Sequence, residues 1–443
     1  MLTAGMGKVC ISPQLGAPLA GFAARQGVTT GIHDDLFARA LVLENHGKSM
    51  ALVSVDVLAL TSAFVTSVRA AIEDRTGIPP EAVMIASTHT HAGPVTITTF
   101  FNPEESLDAT YMNRLADAIT KAVEEAWRGR FSARAGVGTG HVTGVGVNRR
   151  SSDLKPVDEE VGIIRVDGAD GNLRAVFINY SCHPTVLGSN NLLVTGDFPA
   201  FAVERIERAI ATEGVDAKNG LAMFVNGTQG NISMGHSSEL SAIGVITPGR
   251  TFERAEELGH RLGDAVLEVL PEIKTDSDPE LAALSQSISL PLKKLPPVDE
   301  AERALRDAES RLNRLNGDDQ LSEALGRAKS ERLYASITHF YARETRQLPD
   351  RLLPIELQGL RINGAAFIAI PAEVFVEIGL EMKRRSPHRI FNVGIANGYI
   401  GYLTTADAHK SGGYEVVSSK VAPEAESVLV EAALELEKQL FAV

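Results

Sequence analysis

Two periods of apolar residues alternate along the chain. Some stretches place apolar residues at every second position, as in a half-buried strand, and others place them three or four positions apart, as on one side of a helix. The strand-like stretches are residues 5–11, 36–44, 49–55, 83–87, 131–137, 161–166, 173–179, 221–225, 281–290, 357–362, 365–370 and 390–395. The helix-like stretches are residues 62–75, 108–127, 197–210 and 252–270, a helix from about Glu373, and a final helix from Pro423. This mixture predicts an α/β fold, with a mixed β-sheet core flanked by helices.

A charged segment interrupts this alternation between residues 296 and 348. It carries apolar residues at helical spacing on both sides of Gly317, for example Ala308 and Leu312 before it and Leu333 and Ile337 after it. We expect a helical hairpin that is inserted into a single domain spanning residues 1–443. Such an insertion is a candidate lid, or a candidate contact between subunits of a homo-oligomer.

Glycines are frequent between Gly136 and Gly146. Their spacing does not match the dinucleotide-binding pattern G-x-G-x-x-G, because His141 and Arg149 stand where the third glycine should be, and no helix-like stretch follows. We interpret this segment as a turn.

The balance of charges is acidic. With 43 Lys and Arg against 56 Asp and Glu, the formal net charge is −13, which disfavours nucleic acid or an anionic membrane surface as a partner. No apolar run approaches the ~20 residues needed to cross a bilayer, and the first residues do not have the pattern of an export signal. We therefore expect a cytoplasmic protein without stable membrane anchoring. Cys10 and Cys182 lie far apart in sequence, as expected of reduced thiols.

Two histidines follow the strand-like stretch 83–87, in the sequence Ile85-Ala-Ser-Thr-His89-Thr-His91-Ala-Gly-Pro94. In an extended backbone, side chains at positions i and i+2 point to the same side. Two imidazoles on one side can bind one metal ion or one substrate. A polar strand end with two solvated histidines has the same pattern, so the motif alone leaves both alternatives open.

Polar clusters follow five of the predicted strands. Ligands usually bind at the carboxyl edge of the strands in α/β sheets, because the loops meet there. The clusters are His89 with His91, Cys182-His183-Pro184, the segment 226–233, Glu373, and the segment 399–405. Several of these residues also have a structural explanation: His183 as a turn residue, Glu373 as a first-turn carboxylate, and Tyr402 as a buried aromatic. The same holds for Asp197, which suits a helix cap.

Short motifs in a fixed order resemble those of the neutral/alkaline non-lysosomal ceramidase family over essentially the whole chain. They are Gly31-Ile-His-Asp34 with Arg39-Ala40, Ser87-Thr-His-Thr-His-Ala-Gly-Pro94, Asn148-Arg149, Cys182-His-Pro184, Gly230-Asn-Ile-Ser233, Pro371-Ala-Glu373, and Tyr399-Ile-Gly-Tyr-Leu-Thr-Thr405 with Tyr414-Glu415. One motif departs, since the family usually has Gly-Asp-Val/Ile-Ser-Pro-Asn where this chain begins with Gly230. Members also carry a C-terminal immunoglobulin-like domain, so we expect this chain to match the catalytic domain only.

The resemblance implies a zinc amidase that hydrolyses the N-acyl bond of a ceramide. It implies that the Zn²⁺ ligands are His89, His183, Glu373 and Tyr402, and that the residues lining the reacting amide are His91, Arg149, Ser233 and Tyr414. Two imidazoles, a carboxylate, a tyrosine and an open position suit catalytic zinc, which lowers the pKa of bound water towards about 7. The alternatives are a different divalent ion, or a second metal near His33 and Asp34.

The leading hypothesis is zinc-dependent hydrolysis of a linear amide, in a ceramide-like lipid or a small N-acyl compound. The same scaffold can cleave an ester, a lactone or a glycosidic bond, and a non-catalytic binding protein is the third alternative. The loops predicted around the site are polar, at Thr96 and Thr98 for example, whereas Phe100, Phe101 and Phe198 are candidates for an apolar wall. We therefore expect long-chain ceramide to be a poor substrate.

Overall fold

Strands and helices alternate along the chain in a computed structural model that describes residues 1–102, 107–212, 220–315 and 323–442. The strands are β1 (Thr3–Cys10), β2 (Gly31–Ile32), β3 (Phe37–Asn45), β4 (Lys48–Val55), β5 (Val83–Ser87), β6 (Phe131–His141), β7 (Val147–Asn148), β8 (Glu160–Gly168), β9 (Leu173–Tyr180), β10 (Leu193–Val194), β11 (Leu221–Asn226), β12 (Ile232–Ser233), β13 (Leu281–Pro291), β14 (Leu352–Ile362), β15 (Ala365–Ile370), β16 (Glu373–Val374), β17 (Arg389–Gly394) and β18 (Tyr402–Leu403). The helices are α1 (Ser62–Thr76), α2 (Ala109–Arg128), α3 (Phe198–Thr212), α4 (Ser238–Ala242), α5 (Phe252–Val269), α6 (Val298–Leu315), α7 (Glu323–Thr345), α8 (Val376–Arg385), α9 (Ala406–Ser411), α10 (Tyr414–Val417) and α11 (Ala425–Leu440). The predicted α/β class with a mixed sheet is confirmed.

The largest sheet has eight strands in the order β11-β9-β8-β6-β1-β3-β4-β5. Its two ends are parallel pairs, β11 with β9 and β4 with β5, and the strands between them pair antiparallel. The two ends of the sheet meet, since the Ser54 hydroxyl on β4 donates to the Phe224 carbonyl on β11 at 2.5 Å. The Asn226 amide at the end of β11 donates to the Thr88 carbonyl just after β5, at 2.7 Å. The carboxyl ends of β5 and β11 therefore lie side by side.

A second sheet, in the order β13-β14-β15-β17, packs against the first. Its strands β15 and β17 are parallel. The Phe367 ring contacts Phe177 of β9 and Phe391 of β17, with ring centroids 5.3 and 5.0 Å away. The Asn179 amide donates to the carbonyls of Asn226 and Asn392, which joins β9 to β11 and β17. The loops that follow these strands therefore meet in one region.

Helix α2 covers the first sheet at β1. Its N-terminus is capped by Asp108, whose carboxylate accepts the backbone N–H groups of Thr110 and Tyr111. A Cβ at Gly5 of β1 would lie 1.8 Å from the Ala126 carbonyl oxygen. A side chain at this position would push the helix away from the sheet, so the glycine allows the close packing.

The charged segment forms two helices, α6 and α7, between β13 and β14, which pair with each other antiparallel. Ion pairs link the helices, from Arg311 to Glu331 at 3.1 Å and from Arg332 to Glu309 at 3.9 Å. The turn predicted at Gly317 lies outside the described residues, and the assignment of 296–348 as an insertion within one domain stays a prediction. None of the helices in the described part of the chain is long and apolar enough to cross a membrane.

Two local predictions are wrong. Strand β6 continues to His141, beyond the predicted end at residue 137, so Gly138 and Gly140 do not lie in a turn. A Cβ at Gly138 would lie 2.5 Å from the Ile273 side chain, so this glycine allows close packing and does not mark a turn. The helix expected from Glu373 begins at Val376, and Glu373 itself lies on β16. Its strand partner β18 is distant in sequence, so local periodicity does not reveal the pairing.

Candidate metal centre

His89 lies in the loop that follows β5, and its backbone is not extended as the spacing predicts. Its φ of 69° is in the left-handed region, which is uncommon for a residue with a side chain. The backbone N–H donates to the Val57 carbonyl at 3.0 Å, and Nδ1 lies 2.8 Å from the Leu58 carbonyl oxygen. Because Nδ1 must carry the proton to bond that carbonyl, Nε2 presents a lone pair to the site.

His183 is oriented in the same way from the loop after β9. Its backbone N–H donates to the Ile232 carbonyl at 3.0 Å. Its Nδ1 lies 2.7 Å from the Gln229 carbonyl oxygen and 3.1 Å from that of Ile232. Such contacts of the distal ring nitrogen fix the tautomer and the ring orientation of metal-binding histidines. The other ring nitrogen, Nε2, therefore faces the site and lies 2.8 Å from the nearer carboxylate oxygen of Glu373.

Glu373 and Tyr402 are brought together by the parallel pairing of β16 and β18, in which they are direct partners. The Glu373 Oε2 atom lies 2.8 Å from His183 Nε2 and 3.5 Å from His89 Nε2. The Tyr402 hydroxyl lies 3.5 Å from His183 Nε2. The four side chains that the resemblance implies as ligands are thus adjacent, and all are buried.

His91 completes a group of three histidines whose ring nitrogens lie within 4.8 Å of one another and could hold a metal ion. Its Nε2 is 3.3 Å from that of His89, and its buried Nδ1 has no hydrogen-bond partner among the described residues. The Arg25 guanidinium donates to the His91 carbonyl at 2.7 Å. Gly21, with φ of 99°, approaches so closely that a Cβ would lie 2.5 Å from the Cβ of His91. His91 is therefore a further candidate ligand besides its predicted role in proton transfer.

Arg149 is held by acceptors on two sides. Its Nε donates to Glu415 Oε1 at 2.9 Å, and a terminal nitrogen donates to the Gly230 carbonyl at 2.9 Å and to the Tyr402 hydroxyl at 3.1 Å. Glu415 also pairs with Arg150 at 2.7 Å. A buried ion pair of this kind fixes the guanidinium beside Tyr402, so that the positive charge favours negative charge on the phenol oxygen.

The electrostatics of the cluster suit a cation. Burial would raise the pKa of Glu373, but the imidazoles of His89 and His183 outweigh it and hold the pKa of this carboxyl well below its usual range. Burial lowers the pKa of His183 to about 4, and burial lowers that of His91 well below its usual value. Burial and the charge of Glu373 raise the pKa of Tyr402, with Arg149 opposing them. A carboxylate beside imidazole nitrogens is a donor set that fits a divalent transition-metal ion.

Two of the residues implied to line the amide have different surroundings. Tyr414 begins α10, and its ring lies 6.1 Å from that of Tyr402. Both rings line a cavity that also contains the side chains of His89 and Glu373 in its wall. Ser233 is fully buried on β12, and its hydroxyl donates to the His236 carbonyl at 3.0 Å. A role for Ser233 at the amide stays a prediction, and the observed bond shapes the turn that carries His236.

Other candidates lie away from the cluster. Asp197 has φ of 58°, its carboxylate accepts the N–H groups at 186, 187 and 198, and burial raises its pKa to about 6. The expectation that Phe198 lines the site is wrong, because its ring is buried against Phe224 at 5.9 Å in the core. Asp34 bonds His33 Nδ1 through one oxygen and the Gly196 N–H through the other, each at 2.8 Å. A second metal at this pair stays a prediction.

Three supporting residues had no assigned role in the sequence analysis. The Tyr399 hydroxyl donates to Glu373 Oε1 at 2.6 Å, Glu415 holds Arg149, and Arg25 holds the backbone of His91. Tyr399 and Glu415 stand inside the motifs that carry the family resemblance, so a signal for them existed. Arg25 acts on a backbone carbonyl, and nothing in its local sequence indicates this contact.

Comparison with known proteins gives one family. The model described as neutral/alkaline non-lysosomal ceramidase, N-terminal, matches residues 3–239. The matched region includes His89, His91, Arg149 and His183, and it ends before Glu373. The N-terminal half of the candidate centre therefore lies within the family match.

Similar proteins extend the match over nearly the whole chain. The neutral ceramidase of Pseudomonas aeruginosa is 24% identical and the match covers 95% of this chain and 69% of that protein. The neutral ceramidase of Mycobacterium tuberculosis is 25% identical, with 94% and 73% covered. The crystal structure of the Pseudomonas enzyme superposes with a TM-score of 0.74 at 21% identity, covering 99% of this chain and 75% of that chain. A structure described as a ceramidase complexed with C2 gives 0.72 at 20% identity. These likenesses show that the fold is shared.

Proposed function

Because the chain belongs to the neutral/alkaline non-lysosomal ceramidase family, we propose that it is a zinc-dependent hydrolase of linear amides. Its substrate would be a ceramide-like lipid or a small N-acyl compound. The observation that carries the proposal is the convergence of two Nδ1-anchored histidines on one carboxylate oxygen, at 2.8 Å from His183 and 3.5 Å from His89. That arrangement leaves two imidazole lone pairs and a buried carboxylate facing one point, which is the donor chemistry of catalytic zinc sites.

The proposed ligands are the four side chains His89, His183, Glu373 and Tyr402. A bound zinc ion supplies Lewis acidity and lowers the pKa of water near it, which is the chemistry that amide hydrolysis needs near neutral pH. Tyr399 and the carbonyls of Leu58 and Gln229 hold three of these ligands in orientation. The same contacts reduce the reorganisation needed when the ion binds.

The remaining polar groups would serve the reacting amide. Tyr414 lines the cavity beside Tyr402 and is the candidate donor to the oxygen on which negative charge develops. His91 lines the same cavity and is the group that would move a proton to the departing amine. Arg149 contributes a fixed positive charge next to Tyr402. Together they supply the positioning, charge stabilisation and proton transfer that cleavage of an amide requires.

The test is turnover with and without metal. Protein treated with a chelator should lose hydrolysis of chromogenic N-acyl compounds and regain it when zinc is added. Ester and glycoside chromogens in the same panel would identify a different scissile bond. Hydrolysis that persists after complete removal of metal would overturn the proposal.

A further inference from the structure

Two pockets flank the candidate metal centre. The residues that border both pockets are Gly21, His91, Tyr402 and Tyr414. One pocket, of about 130 Å³, has an aromatic and aliphatic side formed by Leu58, Ile97, Phe100 and Phe340, and polar side chains such as Thr98 and Glu344 line the rest. We call it the apolar pocket after that side. The other, of about 40 Å³, is lined by polar groups that include Thr185, His236 and Ser238. A linear amide has two halves, and of these two pockets the first presents the larger group of neighbouring aromatic side chains.

Helix α7 forms a wall of the apolar pocket through Phe340, Tyr341 and Glu344. Polar contacts fix the helix to the loops of the site. The Ser336 hydroxyl donates to the Phe100 carbonyl at 3.2 Å, and the Tyr341 hydroxyl donates to the Ser418 carbonyl at 3.0 Å. Glu344 pairs with Lys420 at 2.5 Å. The wall is therefore anchored at three separate points and is not a loosely packed side of the pocket.

The size of the apolar pocket limits what it can hold. Pockets for drug-sized ligands measure roughly 300–1,000 Å³, and an engineered apolar cavity of about 150 Å³ holds one benzene molecule. At about 130 Å³, the pocket beneath α7 has room for an apolar group of at most that size, because His89, Glu373 and Tyr402 of the candidate centre line the same space. A long alkyl chain would have to displace Phe340 or leave the pocket.

We propose that the apolar pocket receives the acyl half of the substrate and that α7, through Phe340, restricts it to short acyl groups of about six carbons. The amine half then faces the polar pocket, where His236 and Ser238 can bond hydroxyl groups. This inference rests on the proposed amide hydrolysis and names its substrate class. Phe340 acts as a specificity-determining residue, since it bounds the pocket without belonging to the candidate ligand set.

The first experiment varies acyl length on one soluble amine, from two to ten carbons, with zinc-loaded enzyme. In the unmodified protein, kcat/KM should rise about fourfold per methylene, the equivalent of about 0.8 kcal/mol for a buried CH₂, up to about six carbons and then fall. Phe340→Ala should move the maximum to longer chains, and Phe340→Trp should move it to shorter ones. Arg332→Ala, an exposed change on the same helix facing α6, should leave the profile unchanged. A profile that rises through ten carbons in the unmodified protein, or a maximum that stays in place in both Phe340 variants, would overturn the inference.

The second experiment measures binding without turnover. Calorimetric affinities for hexanoate and decanoate are compared in the unmodified protein and in Phe340→Ala, with thermal unfolding as a check that both are folded. Hexanoate should bind more tightly to the unmodified protein, and the order should reverse in the variant. An identical order in both proteins would contradict the role of Phe340. If no N-acyl compound is cleaved but the order reverses, the proposed reaction fails while the pocket assignment stands.

Discussion

Tyr399 acts on the candidate metal centre through Glu373, whose second carboxylate oxygen accepts its hydroxyl at 2.6 Å. Tyr399→Phe removes this hydrogen bond and keeps the ring. We expect metal affinity or turnover to fall by roughly 10- to 100-fold, as is typical when a group that orients a ligand is lost. Titration with zinc in competition with a chromogenic chelator measures the affinity.

Tyr111→Phe is the matched control for this change. Its hydroxyl donates to the Ile11 carbonyl, just after β1, at 2.8 Å, so the change removes one hydrogen bond of similar length. Metal affinity should be unchanged there. Equal losses in the two variants would show that the effect of Tyr399 is one of general stability.

His183→Ala tests the proposed ligand set directly. The change removes the imidazole whose Nε2 faces Glu373 and leaves a buried carboxylate with one partner fewer. We expect zinc content, measured by elemental analysis, to fall from about one ion per chain to a small fraction. His33→Ala is the control, because His33 bonds Asp34 at the second candidate position. If the zinc content is unchanged in His183→Ala, or if an ion is lost in His33→Ala, the proposed position of the zinc site is wrong.

His91→Gln separates a ligand from a proton carrier. If His91 transfers a proton, the variant should retain its zinc and lose roughly 10²- to 10⁴-fold in kcat. Loss of zinc in parallel with activity would identify His91 as a ligand, in line with its place in the group of three histidines. Both quantities are measured on the same preparation.

For single residues, the sequence predicted the right neighbours for a reason that the structure does not support. The spacing of His89 and His91 predicted neighbouring imidazoles, and their Nε2 atoms do lie 3.3 Å apart. The reason differs, because His89 is left-handed and the backbone of the loop, not a strand, brings the rings together. Ring orientation depends on the carbonyls of Leu58 and Gln229, and no pattern of side chains reports a contact with a backbone.

Among the elements, the short pair β16 and β18 carries two proposed ligands, and Gly230 packs against it. The Gly230 N–H donates to the Val374 carbonyl at 2.8 Å, and a Cβ at Gly230 would lie 2.6 Å from the Glu373 carbonyl oxygen. Gly230→Ala must therefore displace the backbone of β16. We expect a loss of about 1–3 kcal/mol in the free energy of unfolding and a clear drop in zinc affinity.

Gly326→Ala provides the comparison, since a Cβ there has open space within α7. Replacing a helical glycine by alanine should stabilise the protein by about 0.5–1 kcal/mol and leave zinc affinity unchanged. Chemical denaturation of both variants measures the two stabilities. A Gly230→Ala protein with normal zinc affinity would show that β16 tolerates the shift.

The elements with a continuous apolar or amphipathic pattern have nearly the predicted bounds, and two-residue elements do not. One face of helix α2 is buried along its length, and every residue of strands β5 and β15 is buried. Strand β16 has two residues and is defined by its partner, so its residues were assigned to the helix that follows. The side chains of the candidate site stand on such short elements and loops.

For the whole molecule, the prediction concerns residues 296–348. Replacing them by a short Gly/Ser linker should be geometrically possible, because Pro291 of β13 and Leu352 of β14 are paired at the base of the segment. The proposed ligands all come from other elements. We expect the shortened protein to unfold cooperatively and to bind zinc with unchanged stoichiometry. Acyl selectivity should be lost, since α7 no longer bounds the apolar pocket.

Thermal unfolding and elemental analysis of the shortened protein check this expectation. Removing α7 takes away Leu333, Ile337 and Tyr341 and uncovers Phe100 and the half-buried residues that pack against this small cluster, so a moderate fall in Tm is expected. Absence of a cooperative transition would show that the two helices are part of the core and not an insertion.

The proposed ligands are spread from His89 to Tyr402, and this spacing has a consequence for biosynthesis. His89 emerges from the ribosome long before its partners, and the strand pair that carries Glu373 and Tyr402 is completed only after Tyr402 has been made. The ion can therefore be captured tightly only after more than 400 residues have been synthesised. Metal uptake would be a late checkpoint of maturation, and the supply of the ion would set how much of the newly made protein becomes resistant to degradation.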